Sequence, residues 1–217
     1  MRVLPMGDTA WLIEPTDHAE AADHAAPTGR VLALHRALEA DRLVGVVELV
    51  PAQDTLLVVF DPGVLGSAVV RAWLEQVERA GPGAAPCGTP AETVRIPVRY
   101  DGEDLDEVAR LTRLTPEAVV EAHTGAAWTV AFTGFAPGFG YLVGGDPRLQ
   151  VPRRDTPRSR VPAGAVALAG GYSGIYPRSS PGGWQLIGRT TTTTWDAEAD
   201  PPALLRPGVR VQFEATS

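Results

Sequence analysis

The sequence predicts an α+β chain in two parts, a small α/β sandwich domain over residues 1–82 and a β-barrel or compact β-sandwich over 83–217. Three observations carry this. Strand and helix patterns alternate through the first 80 residues. A Gly/Ala/Pro-rich stretch, "AGPGAAPCGTPAE" at 80–92, then interrupts them and reads as a linker. Beyond it, short apolar runs recur between Gly/Pro loops, as in closed or stacked sheets.

The elements follow in order. "RVLPM" and "TAWLIE" are strands flanking a hairpin-like turn at Gly7-Asp8. "GRVLALHRALEA" spaces Val31, Leu34 and Leu38 at helical intervals, with His35 beside that stripe as a packed or half-exposed residue. "VGVVELV" and "TLLVVF" are strands joined by "PAQD", and "GSAVVRAWLEQVERA" is a second helix with Ser67 near its start. The order β-β-α-β-β-α places helices on one face of a sheet. After the linker comes the strand "TVRIPVRY". The helices "DLDEVARLTRL" and "TPEAVVEAHTG" follow, the second with Thr115 as N-cap and Pro116 at its first position. "AWTVAFTG", "VALAG", "WQLIGRT" and "VRVQFEA" are short strands, and the threonine run 190–194 is a strand or a strand end.

Composition narrows the function. At 217 residues and 44% hydrophobic content the chain is long enough for a sizeable core. No apolar run approaches the roughly 18 residues of a membrane span, and the amino terminus has no signal-peptide pattern, so a cytoplasmic protein without membrane partners is expected. Cys87 has no second cysteine to pair with and sits in the linker. The chain contains no lysine and no asparagine, which excludes a P-loop lysine, a Schiff base, a biotin-carrying lysine and a Cys-His-Asn triad within it. The four histidines, His18 and His24 among them, lack metal-ligand spacing, and no metal site is expected. A net charge of −7 argues against a nucleic-acid partner. Yet seven arginines and one acid, Asp155, lie between Arg148 and Arg189, which points to a local anion site.

Three loops hold the candidate chemistry. In "FTGFAPGFGYLVGGDPRL" (132–149), Gly134, Gly138 and Gly140 permit positive φ and close backbone approach, while Phe135, Phe139 and Tyr141 offer walls. The stretch reads either as a substrate wall, its N–H groups turned toward an oxyanion, or as a barrel corner with aromatic plugs. In "DPRLQVPRRDTPRSRVPAG", Arg148, Arg153, Arg154, Arg158 and Arg160 are stiffened by prolines. They read as a bidentate clamp for carboxylate or phosphate, or as a basic loop that is solvated or held by acids elsewhere in the chain. "AGGYSGIYPRSSPGGWQLIGRT" supplies Tyr172, Ser173, Tyr176, Ser179 and Ser180, with Gly182-Gly183-Trp184 as a turn beside a flat ring; "GYSGI" misses the serine-hydrolase elbow. No catalytic base stands out.

Together these loops, "GFAPGFGYLVGGDPRLQVPRR", "PRSRVPAGAVALAGGYSGIYPRSSPGGWQLIGRT", with "IPVRYDGEDLDEVARLTRLTPEAVVEAHTG", "GVVELVPAQDTLLVVFDP" and "GDTAWLIE" upstream, resemble the family of 5-oxoprolinase B subunits. That family is also called allophanate hydrolase subunit 1, or the KipI-type carboxyltransferase domain. The resemblance implies a cyclophilin-like barrel for the second domain and a place for the first loop in its substrate wall. It also implies a larger paralogous partner subunit and a small-molecule substrate, 5-oxoproline, opened to glutamate with ATP used by the assembled complex. Carried onto this chain, the implied substrate-binding set is Gly134, Phe135, Gly138, Phe139, Tyr141, Arg153, Arg154, Arg158, Tyr172, Tyr176, Ser180, Gly183 and Trp184. The alternatives implied are a carboxyltransferase subunit of the allophanate hydrolase or urea carboxylase type, and a histidine-kinase inhibitor without catalysis. Tyr172-Ser173 stands where the family usually has Gln-Thr, and Gly208-Val209-Arg210-Val211-Gln212-Phe213 departs from its terminal pattern.

Overall fold

A computed structural model describes residues 1–15, 25–80 and 93–216. His18, His24, Cys87 and the 82/83 boundary lie outside the described residues. The chain divides into two compact units, Met1–Pro90 and Ala91–Ser217.

In the first unit, β1 (Arg2–Pro5), β2 (Ala10–Glu14), β3 (Val46–Pro51) and β4 (Leu56–Phe60) form an antiparallel sheet in the order β1-β2-β4-β3. The pleat sorts the uniformly apolar run of β4 between the two faces: Leu56, Val58 and Phe60 are buried while Leu57 and Val59 are only partly so. Two helices cover the sheet, α1 (Ala25–Ala40) and α2 (Ser67–Ala80). The second buries Val70, Trp73 and Leu74, an i, i+3, i+4 stripe, against Ile13, Leu49, Val58 and Phe60. Helix α1 begins at Ala25 rather than at Gly29, with Pro27 in its first turn, where a missing N–H costs no helical bond.

The second unit is a closed seven-stranded barrel, the cyclophilin-like architecture that the resemblance implies. Its strands are β5 (Thr93–Arg99), β6 (Trp128–Thr133), β7 (Gly140–Val143), β9 (Ala165–Ala169), β10 (Tyr172–Ile175), β12 (Gln185–Arg189) and β13 (Arg210–Thr216). They close in the order β10-β7-β6-β13-β5-β12-β9. β13 runs parallel to β5 along its whole length, from Arg210↔Thr93 to Thr216↔Arg99; the other neighbours are antiparallel. A separate ribbon pairs β8 (Arg158–Val161) with β11 (Ser180–Gly182). Helices α3 (Leu105–Thr112) and α4 (Pro116–Thr124) connect β5 to β6. Thr115 caps α4 by accepting from the Ala118 N–H at 3.2 Å.

β9 shows how the barrel serves two layers. All five of its residues are buried. Val166 and Leu168 enter the barrel core with Trp128, Phe213 and Ile187, whereas Ala165, Ala167 and Ala169 face a second apolar layer of Phe139, Tyr176, Trp184 and Leu186. Alanines on that face leave room for the rings opposite. β7, β8, β10 and β11 lie inside stretches that read as loops from sequence, because strands of three or four residues among Gly and Pro carry too little alternation to register. The threonine run starts where β12 ends: the Thr190 N–H donates to the Gly164 carbonyl at 2.8 Å.

Candidate functional site

The outer layer gathers the aromatic residues of the glycine-rich loops. Phe139 meets Tyr176 and Trp184 edge-on, each with ring centroids 5.4 Å apart, and Tyr141 meets Trp184 at 5.6 Å and stacks on Phe132 at 4.3 Å. Tyr172 closes the group against Phe132 and Tyr141. Gly174 is a packing requirement here, since a Cβ would lie 2.9 Å from the Phe139 ring and 3.0 Å from that of Trp184. Phe135 differs from these rings. It is 58% exposed with φ +66°, a strained conformation for a bulky residue, and its ring leans on Phe139 and Tyr176.

Gly134, Phe135 and Gly138 line an apolar cavity of about 400 Å³ together with Trp195 and Ala203. At Gly138 (φ +82°) a Cβ would come within 2.6 Å of the Trp195 Cβ. The N–H groups of Gly134, Ala136 and Phe139 donate to the carbonyls of Phe139, Gly134 and Ala136, so these three are engaged within the loop.

The arginine cluster is organised by Asp104, a residue with no motif of its own in the sequence. It sits at the N-cap of α3, but its side chain makes no capping bond. Instead Oδ1 accepts from Arg154 Nη1 at 2.6 Å and Arg158 Nη2 at 2.8 Å, and Oδ2 accepts from the Leu186 N–H at 2.7 Å. Arg158 also reaches Glu103 at 3.1 Å. Burial alone would push the Asp104 carboxyl up; the bonds from Arg158 and Leu186 and the charges of Arg158 and Arg154 hold it below its ordinary value. Arg148 is paired with Asp146, and Arg160 donates to Ser179 Oγ at 3.2 Å. Of the three arginines assigned to a clamp, Arg154 and Arg158 thus have an internal acid, the reading in which acids elsewhere in the chain hold the loop. Arg153 is exposed and acts on the hydroxyls of Tyr141 and Tyr176: burial raises both phenols, and the Arg153 charge opposes the rise.

Arg153 and Arg154 also line a second cavity, of about 540 Å³, with Glu107, Arg110, Leu111, Pro152, Asp155, Thr156 and Gln185. Two of these residues carry a buried polar atom without a hydrogen-bond partner, Arg154 Nε and Gln185 Oε1, as do Arg158 (Nη1) and Ser180 (Oγ) elsewhere in the unit. Gly183 contributes through its backbone, its carbonyl accepting from the Arg154 N–H at 2.8 Å.

A third cluster is wholly internal. His123 on α4 is fully buried, with Nδ1 2.7 Å from the Tyr100 hydroxyl and Nε2 2.8 Å from Ser173 Oγ. Ser173 Oγ lies 3.4 Å from the Ala167 carbonyl, to which it donates, so it accepts from Nε2–H, and Nδ1 accepts from Tyr100. Burial lowers the imidazole to about 3, so it is neutral at physiological pH. Phe213 stacks on it at 4.2 Å. Ser–His contact of this kind resembles nucleophile activation, but both side chains are sealed inside the barrel, where they brace α4 against β10. Among the described residues, no group of three or more His, Cys, Asp or Glu side chains is placed to hold a metal.

The same chain has clear relatives among known proteins. The family described as carboxyltransferase domain, subdomain C and D, matches residues 1–205. The chain is 36% identical to the 5-oxoprolinase B subunit of Bacillus subtilis over 96% of its own length and 90% of that protein. It is 39% identical to the B subunit of the same name from Escherichia coli O157:H7, over 80% of this chain and 81% of the relative. Among solved structures, TTHA0988 superposes with a TM-score of 0.74 at 39% identity, over 96% of this chain but 40% of that one, so the chain spans about two fifths of TTHA0988. A more distant relative is the urea amidolyase of Saccharomyces cerevisiae, 30% identical over 58% of this chain and 7% of that protein.

Proposed function

Since the chain belongs to the carboxyltransferase domain, subdomain C and D, family and within it to the 5-oxoprolinase B subunits, we propose that it is one subunit of an ATP-dependent 5-oxoprolinase. In this reading it works in the cytoplasm with a larger paralogous subunit, and the assembled complex opens 5-oxoproline to glutamate. The observation that carries the proposal is similarity to bacterial B subunits along almost the whole chain, not within one motif.

The geometry supports a substrate-positioning role. The lactam substrate carries a carboxylate, and Arg153 is an exposed guanidinium within electrostatic reach of Tyr141 and Tyr176. The buried rings of Phe139, Tyr176 and Trp184 fix those hydroxyls on a rigid base. ATP is used by the assembled complex in this reading. Hydrolysis of the lactam also needs a general base. His123 is sealed and Asp104 is ion-paired, so that group is assigned to a partner and the chain alone is expected to be inactive.

The urea amidolyase relative favours a second reading, a carboxyltransferase-type subunit acting on a urea derivative. One experiment separates them. The chain is co-expressed with a candidate larger paralogous subunit, the complex is purified, and glutamate formation is followed with 5-oxoproline and ATP. Glutamate from the complex but not from the single chain supports the proposal. Turnover of urea or allophanate in its place supports the second reading. Full 5-oxoprolinase turnover by the single chain would refute the division of labour.

A further inference from the structure

We propose that Arg42 is a guard on a latent pairing surface, the open edge of β3, which without it would take the same strand of a second copy of this chain. In the order β1-β2-β4-β3 the two outer strands each have one side without a partner strand among the described residues. β1 has four residues and ends at Pro5, so it offers little length for pairing. β3 is longer. Its Val46-Val47-Glu48-Leu49-Val50 is rich in β-branched side chains and carries a single charge, a composition that pairs readily with a like strand. Around that edge Val44, Val47 and Val64 are exposed, by 86%, 59% and 59%. The Gly45 turn runs against Val64, since a Cβ there would lie 3.0 Å from its side chain.

The edge is nonetheless closed along its first half. Arg42, just past the end of α1, donates from Nη2 to two β3 carbonyls, that of Val47 at 2.8 Å and that of Val46 at 3.3 Å. A carbonyl engaged in this way is withdrawn from the ladder that a further strand would form. Nη1 is held in turn by both oxygens of Glu39, each at 3.1 Å. A bulge falls at the same place: the register with β4 shifts between Val46 and Glu48, which twists the edge away from a straight partner. Pro51 ends the strand with no N–H to donate. Glu39 has no helical reason to be acidic. It stands in the last turn of α1, where a carboxylate opposes the helix dipole and no base accompanies it. Its contact is with the guanidinium, which it braces. An exposed pair of this kind adds little to folding stability, so its effect falls on what the edge can bind. A second copy is the occupant that the edge itself specifies. Antiparallel pairing of β3 with β3 about a two-fold axis sets the same apolar residues on both sides and brings each exposed Val47 to the contact. The guard concerns the first unit alone and is independent of the activity proposed above.

The test is sedimentation velocity of the full chain over a concentration series, with thermal melts to identify any variant that fails to fold. Wild type should keep one sedimentation coefficient up to about 100 μM, where Arg42→Ala should have at least half of its chains in dimers or larger species. That corresponds to a dissociation constant at or below about 100 μM. Arg42→Lys keeps the charge but lacks the planar fork that reaches two carbonyls and a carboxylate together, so its shift should be intermediate. Glu39→Ala separates guarding from support. Removing an acid from a helix end in favour of the best helix former should hold or raise the melting temperature, yet association should increase because the guanidinium is no longer braced. A purely structural role would move the melt and leave sedimentation alone. Adding Val47→Lys to Arg42→Ala should restore the wild-type pattern, since a charged side chain on an edge strand resists burial by a partner. Unchanged sedimentation of folded Arg42→Ala overturns the proposal. So does association that Val47→Lys fails to relieve, which would place the contact elsewhere. A wild-type dimer that Val47→Lys alone dissociates would overturn it as well, by showing the edge open in the native chain.

Discussion

Asp104 shows how much one carboxylate can organise. With a side chain 4% exposed, it is bonded to two guanidinium groups and one backbone N–H, and so ties α3 to the arginine loop and to β12. Replacing it by Asn keeps the shape but leaves the Arg154 and Arg158 charges poorly matched in a dry setting. Asp104→Asn should destabilise the second unit by about 3 kcal/mol, the usual scale for breaking a buried pair by removing one partner. Urea denaturation at pH 7 would measure this; a loss under about 0.5 kcal/mol would place the pair among surface contacts. The pH dependence has a definite sign. The folded carboxyl lies below its unfolded value, so its contribution is complete above about pH 4 and is lost as pH falls through the folded value. Wild type should therefore lose more stability on acidification than Asp104→Asn does.

At the scale of elements, the barrel depends on its final strand. β13 fills the place between β5 and β6, and it buries Val211 and Phe213 in the barrel core. Without it, β5 loses a seven-residue parallel register and the barrel gains two open edges. Truncation after Arg206 should abolish the cooperative melt and the near-ultraviolet signal of Trp128, which packs edge-on to Phe213 at 6.4 Å. A truncated chain that melts like the full one would show the closure to be dispensable. The short strands behave differently. β8 and β11 form a ribbon outside the barrel order, and their pairing is interrupted between Ser180 and Gly182, where the chain must bring Tyr176 against Gly182. A Cβ on Gly182 would lie 2.3 Å from the Tyr176 hydroxyl, which gives this glycine a steric reason of its own.

At the scale of the whole molecule, each unit has its own core: Ile13, Leu38, Val58, Phe60 and Trp73 in the first, and the barrel interior with its outer aromatic layer in the second. Two separate cores imply two units of folding. Residues 91–217 expressed alone should give a cooperative thermal transition and dispersed amide resonances. A collapsed species without dispersion would show that the barrel needs the first unit.

The sequence by itself determined the periodic elements. The elements of the first unit follow from apolar runs such as Leu56–Phe60 and from the helical spacing of Val70, Trp73 and Leu74, and the start of α4 follows from Thr115 and Pro116; local stereochemistry encodes both. It also determined the family, through similarity that runs along almost the whole chain. The site was legible only as a composition of aromatic rings, hydroxyls and arginines. Tertiary structure decided which of these are free. Arg153, Arg154 and Arg158 look alike in sequence, and only the approach of Asp104, about fifty positions away along the chain, separates the exposed cation from the two held ones. His123 carries no local signal of its role either, which arises from the water that the closed barrel takes away from it.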